Sequence, residues 1–171
     1  MSLANFINRL SKFYETIWNW PSKVRNTIES WGDRLQVILP VSFLAYAMAI
    51  DSHLAIVFAC SFAVAMLVCE LVKAIFNNPR PNDTEGSVNP ELDVEWSPSD
   101  NNSFLSGHTT AAMIGALFWF IPDPCFGLVA TFLGLFTGFS RMVAKAHWLR
   151  DVLAAIALCL IVFSIALVWF V

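Results

Sequence analysis

The chain has 171 residues, of which 57% are hydrophobic and 13% charged, and its mean hydropathy is +0.63. A soluble domain carries about 25% charged residues, so a soluble globular enzyme is excluded and a single membrane-embedded domain over 1–171 is implied. The formal net charge of −3 identifies no partner, and no nucleic-acid partner is expected.

The first stretch lacks the apolar core of a signal peptide. Leu3, Phe6, Ile7, Leu10, Phe13, Tyr14, Ile17 and Trp18 recur at spacings of three and four, with Asn5, Asn8, Arg9, Lys12, Glu15 and Asn19 between them. That pattern predicts an amphipathic helix stopped at Pro21. A second short helix with Val24, Ile28 and Trp31 on one side and Lys23 and Arg25 opposite leads into the first span. Residues 1–33 are therefore read as an amphipathic segment at the membrane interface, with packing on the bundle's own rim as the alternative.

Five runs nearly free of charge follow: Leu35–Ile50, Leu54–Val72, Ala111–Ile121, Phe126–Phe139 and Val152–Val171. The last is 20 residues long, about the length that crosses the hydrocarbon core as a helix. The predicted fold is all-α, a polytopic bundle of about five transmembrane helices. Asp51-Ser52-His53 and Pro122-Asp123-Pro124 are tight turns, and Pro79 ends the second span. Residues 82–103 contain Asp83, Glu85, Glu91, Asp93, Glu95 and Asp100 with no basic residue, and read as an extramembrane acidic loop. Cys60, Cys69, Cys125 and Cys159 lie in or beside apolar runs without metal-ligand spacing, and read as small buried hydrophobes.

Ionisable groups in or beside membrane spans are costly and mark function. Lys73 and Arg80 stand two helical turns apart, His147 and Asp151 share a face if that stretch is helical, and Ser106-Gly107-His108 precedes the third span. With alternating spans, Lys73, Arg80, His108, Arg141, His147 and Asp151 all fall at one membrane face. A phosphate dianion needs fixed cations, and arginine offers bidentate geometry. Free N–H groups near Gly107 add donors at a helix start. A neutral histidine can attack phosphorus if a carboxylate holds its other ring nitrogen, and Asp151 is placed to do that for His147. A second histidine can protonate the leaving oxygen. The set requires no metal and no cofactor.

Taken together, Lys73-x6-Arg80-Pro81, Ser106-Gly107-His108 and Ser140-Arg141-x5-His147-x3-Asp151 resemble the three-part signature of the type 2 phosphatidic acid phosphatase family. The resemblance covers the chain from about Lys73 onward. It implies that His147 is the phosphorylated nucleophile, Asp151 its support and His108 the general acid. By the same resemblance Lys73, Arg80 and Arg141 hold the phosphate with help from Ser106 and Gly107. One departure stands out: the family usually has proline before Ser-Gly-His, and this chain has Leu105.

The resemblance further implies hydrolysis of a phosphomonoester or pyrophosphate on a membrane lipid through a phosphohistidine. Phosphatidic acid, phosphatidylglycerophosphate, undecaprenyl pyrophosphate and lipid A phosphates all fit. A lipid phosphotransferase and a non-enzymatic anion or lipid carrier are the alternatives. Related motifs occur in vanadate-dependent haloperoxidases, but those are soluble. Localisation to a bacterial inner membrane follows from the resemblance, with oligomeric state left open. Arg9, Lys12, Lys23, Arg25, Arg34, Lys145 and Arg150 share the site's face, which by the positive-inside rule argues for the cytoplasm. Relatives acting on bacterial envelope lipids face the periplasm. The periplasmic face is adopted, because substrate and an interfacial helix account for the basic residues.

Overall fold

A computed structural model of the chain describes residues 3–76, 80–81 and 103–170. The acidic loop read from the sequence lies outside the described residues except at Ser103. Six helices follow in order: α1 Leu3–Trp18, α2 Ser22–Ile50, α3 Ser52–Ile75, α4 Gly107–Phe118, α5 Pro124–Val143 and α6 Leu149–Phe170. No strand occurs among the described residues.

Helix boundaries follow local chemistry. Asp51 caps α3 by accepting the N–H of His53 at 2.8 Å, and Asp123 caps α5 by accepting those of Cys125 and Phe126 at 2.7 and 3.2 Å. Each aspartate satisfies helix-start donors that would otherwise be orphaned. The short amphipathic helix expected around Val24–Trp31 is not a separate element. It forms the first turns of the 29-residue α2, because nothing between Ser22 and Pro40 breaks the backbone hydrogen-bond pattern.

Four helices are long and apolar enough to cross a membrane: α2, α3, α5 and α6. α4, expected as the third of five spans, has 12 residues and extends only about 18 Å, against a hydrocarbon thickness of about 30 Å. It is instead the central helix, buried from Thr109 to Phe118 and packed on α2, α3, α5 and α6. The outer helices turn Val37, Ile38, Val41, Ile56, Val64, Leu67, Phe132, Ile161 and Ile165 outward. Such a surface suits lipid and not water. Cys60 and Cys125 belong to this outer surface, contrary to the expectation that all four cysteines are buried; Cys69 and Cys159 are buried.

The interior differs between its two ends. Around Phe118 it is aromatic, with the rings of Phe43 and Phe58 4.9 Å apart and each stacked edge-on against Phe118 at 5.5 and 5.1 Å. Around the start of α4 it is polar, with Ser103, Ser106, Thr109, Thr110, Thr137, Ser140, His147 and Asp151 all buried. Close helix crossings need glycine. A Cβ at Gly115 would lie 2.6 Å from the Pro40 nitrogen, and one at Gly32 would lie 2.6 Å from the Ser140 Cβ. Gly32 thus brings the start of α2 to the end of α5, beside Arg141.

Candidate active site

The expected residues gather at one end of the bundle. Lys73, in the last turn of α3, pairs with Glu70 at 2.7 Å. Its ammonium lies beside Gly107, where an added Cβ would be 3.3 Å from Nζ. Ser106 caps α4: its Oγ accepts the Thr109 N–H at 3.3 Å and the Thr109 hydroxyl at 2.9 Å, while its own N–H donates to the Asp151 carbonyl at 3.4 Å. Gly107 and His108 form the first turn. Arg80 joins Arg141 and Lys73 in acting electrostatically on both His108 and His147.

The turn that carries His147 grows out of the end of α5. Lys145 N–H donates to Met142 O at 3.1 Å and Ala146 N–H to Arg141 O at 3.0 Å. With Lys145 at φ 59, this is a Schellman closure, in which a left-handed residue lets two N–H groups fold back onto the last helical carbonyls. His147 N–H also reaches Arg141 O, at 3.3 Å. The interval between Arg141 and His147 is therefore the path of one helix stop, and it ties the backbone of His147 to that of Arg141.

His147 is buried, and its Nδ1 lies 2.8 Å from the carbonyl oxygen of Ser103. Asp151 Oδ2 is 3.9 Å from the same nitrogen, beyond hydrogen-bond range. The carboxylate reaches back to accept the Trp148 N–H at 2.9 Å, the side-chain half of a capping box at the start of α6. The expectation that Asp151 holds the ring nitrogen is corrected: the Ser103 carbonyl accepts that hydrogen bond, and Asp151 does not reach it. Burial pushes His147 down from 6.5 to about 3; the Ser103 hydrogen bond opposes this, and the charges of Arg141, Arg80 and Lys73 add to it. The ring is neutral at physiological pH, with Nδ1–H donating and Nε2 carrying the lone pair.

The sequence reading did not single out two acidic residues of α2. Arg141 Nη1 donates to Asp33 Oδ1 at 2.7 Å and lies 3.7 Å from Glu29 Oε1. The same Asp33 oxygen is 3.5 Å from His108 Nε2. Glu29 and Asp33 are the only acids in α2 and stand one turn apart, a signal available in the sequence. α1 also contributes. Trp18 Nε1 donates to Met142 O at 3.0 Å, Tyr14 Oη accepts the Leu149 N–H, and both rings pack on Trp148. The amphipathic helix therefore docks on the bundle's rim, with Tyr14 and Ile17 buried against Met142, Val143 and Val152. Among the described residues, no three His, Cys, Asp or Glu side chains are grouped as a metal site would require.

At 17–18% identity, two solved structures share this architecture. LpxE of Aquifex aeolicus matches with a TM-score of 0.71, 17% identity, 91% of this chain and 93% of that one. The transmembrane PAP2-type phosphatidylglycerolphosphate phosphatase of Bacillus subtilis matches with a TM-score of 0.64, 18% identity, 98% of this chain and 87% of that one. Both likenesses define a helical membrane fold. A search of curated proteins gives no match. The sequence itself matches the PAP2 superfamily over residues 54–171, and the chain belongs to that family.

Proposed function

We propose that the protein is a lipid phosphate phosphatase working through a phosphohistidine on His147. The observation that carries this is the Nδ1–Ser103 hydrogen bond of 2.8 Å, which leaves Nε2 as the free nucleophile of a neutral, buried ring at the end of the bundle that carries Lys73, Arg80 and Arg141. The Nε2 lone pair attacks phosphorus, the ester or anhydride P–O bond breaks, and His108 gives its proton to the departing oxygen. The phosphorylated ring becomes cationic, and the nearby Asp151 carboxylate stabilises that charge. Water then attacks phosphorus, returns a proton to His108 and releases phosphate. Lys73, Arg80 and Arg141, with the donors at Ser106 and Gly107, stabilise charge on the phosphoryl oxygens.

A lipid as substrate follows from the setting, since the site lies at one end of a bundle whose outer surface is lipid-facing. The Bacillus subtilis protein of the same fold, a phosphatidylglycerolphosphate phosphatase, supports that class. Purified protein should release phosphate from one or more of phosphatidic acid, phosphatidylglycerophosphate, undecaprenyl pyrophosphate and lipid A phosphate. Vanadate should inhibit and chelators should not. His147→Ala should lower turnover by about 10³-fold or more; near-normal turnover would overturn the mechanism. Phosphate appearing on a second lipid would assign transferase activity, and no turnover on any of the panel would favour a carrier.

The site is assigned to the periplasmic face of a bacterial inner membrane. A single cysteine at Ser87 in a cysteine-free background should react with an impermeant reagent in intact cells. Reaction only after lysis would place the site in the cytoplasm.

A further inference from the structure

We infer that Asp33 is a positioning residue for both the phosphate-binding arginine and the general acid. It acts through one carboxylate oxygen set between Arg141 Nη1 at 2.7 Å and His108 Nε2 at 3.5 Å. The inference rests on the reading of His108 as general acid and of Arg141 as a phosphate ligand.

Two features of the geometry support it. Arg141 is nearly enclosed, with a side chain 12% exposed, and its Nε is buried without a hydrogen-bond partner. Asp33 occupies one terminal nitrogen of the guanidinium, so the carboxylate fixes the group's orientation without consuming its whole donor set. The second feature concerns the proton that His108 must donate. Burial, Arg141, Lys73 and Arg80 all disfavour a proton on His108, and Asp33 favours one.

Every helix packed on α4 contributes charge here. α2 brings Asp33 and Glu29, the latter directed to Arg141. α3 brings Lys73, paired with Glu70. α5 brings Arg141, and α6 brings Asp151 beside His147. Only Asp33 lies within salt-bridge distance of the His108 ring among the described residues. Even with Asp33 in place, burial and the three cations bring His108 from 6.5 down to about 4, so Asp33 is the one nearby anion, supplied by α2 from outside the three motifs, that limits the loss.

Leaving-group dependence tests this. Departure of p-nitrophenolate needs no proton, whereas departure of the alkoxide from a short-chain phosphatidic acid does. Both substrates would be compared in wild type, Asp33→Asn, Asp33→Glu, His108→Ala and the Asp33→Asn/His108→Ala double variant. Asp33→Asn should lower kcat on the phosphatidic acid by roughly 10- to 100-fold and on p-nitrophenyl phosphate by much less. It should also move the alkaline limb of the pH profile about one unit lower, and Asp33→Glu should restore that limb. In a His108→Ala background, Asp33→Asn should add little.

Equal losses on both substrates with an unmoved alkaline limb would show a merely structural contact and overturn the proposal. A gain in activity would also overturn it, by showing that Asp33 competes with substrate. If His108→Ala shows the leaving-group effect and Asp33→Asn does not, only the role of Asp33 falls. If His108→Ala shows none, the general-acid reading falls, and with it the role assigned to Asp33.

Discussion

The hydroxyl oxygen of Tyr14 on α1 accepts the backbone N–H of Leu149, two residues after His147. One side chain from the amphipathic N-terminal helix thus satisfies an orphan donor at the start of α6, 135 residues away in the chain. With Trp18 on the Met142 carbonyl, α1 braces both ends of the turn that carries His147. Removing the hydroxyl leaves a part-buried donor unpaired, at a cost of about 1–3 kcal/mol. Tyr14→Phe should lower thermal stability accordingly and reduce kcat more than it changes KM, because the turn loosens while the proposed phosphate-binding side chains stay. Unchanged melting temperature and kcat would show that α1 does not support the turn.

His147 gives stability a defined pH dependence. Its folded value, about 3, lies below the ordinary 6.5, so between those values the unfolded chain binds a proton that the native state does not. Stability therefore rises with pH across this window and is lost as pH falls below 6.5. At pH 5 the loss from this group is about 2 kcal/mol. Comparing thermal unfolding at pH 7 and pH 5 should show a smaller acid-induced drop in His147→Gln than in wild type. Parallel curves for the two proteins would mean that His147 is as easily protonated in the folded protein as in the unfolded chain.

Much of this site is legible in the sequence because its charges are rare. Lys73, Arg80, His108, Arg141, His147 and Asp151 stand out against apolar surroundings, and treating all five apolar runs as alternating crossings brings them to one face, although the third run forms only the 12-residue α4. Asp33 and Ser103 are different. Asp33 lies 108 residues from Arg141, and the Ser103 acceptor is a backbone carbonyl 44 residues from His147. The one-turn spacing of Glu29 and Asp33 marks an acidic face on α2 but does not encode its partner on α5, and nothing in the sequence encodes the Ser103 contact. The shortness of α4 was hidden for a related reason: Trp119–Pro122 continue the apolar composition past the helix end, so hydropathy overstates the helix.

Leu105 explains the departure from the family pattern. Its φ is 65, whereas the pyrrolidine ring holds φ near −65°, so proline cannot take this backbone. The side chain is buried with Cys69 and Ala155, and the carbonyl accepts the Cys69 thiol at 3.6 Å. Restoring the family's usual residue should therefore be harmful. Leu105→Pro should cost about 3 kcal/mol or more and abolish activity by displacing Ser106 and Gly107 from the start of α4. An active, stable Leu105→Pro protein would show that the turn can be rebuilt without the left-handed residue.

Lys145 offers a parallel test on the other side of the site. At φ 59 it closes α5, and its ammonium lies 5.2 Å from the centre of the Trp18 ring. Two effects can be separated by substitution. Glycine removes the cation–π contact, which is worth about 0.5–1 kcal/mol, but relieves a left-handed backbone that costs a non-glycine residue about 1–2 kcal/mol. Lys145→Gly should therefore be near neutral in stability and keep most activity. Valine loses the same contact and adds a β-branched side chain to a conformation it strongly resists. Lys145→Val should be destabilised by about 1–3 kcal/mol, and its kcat should fall further than that of Lys145→Gly, since the Ala146 and His147 N–H groups would lose their seat on the Arg141 carbonyl. Thermal unfolding and turnover measured on both variants decide the matter. If both fail alike, the ammonium over Trp18 matters and the Schellman geometry does not; if only valine fails, the backbone of residue 145 sets the position of His147.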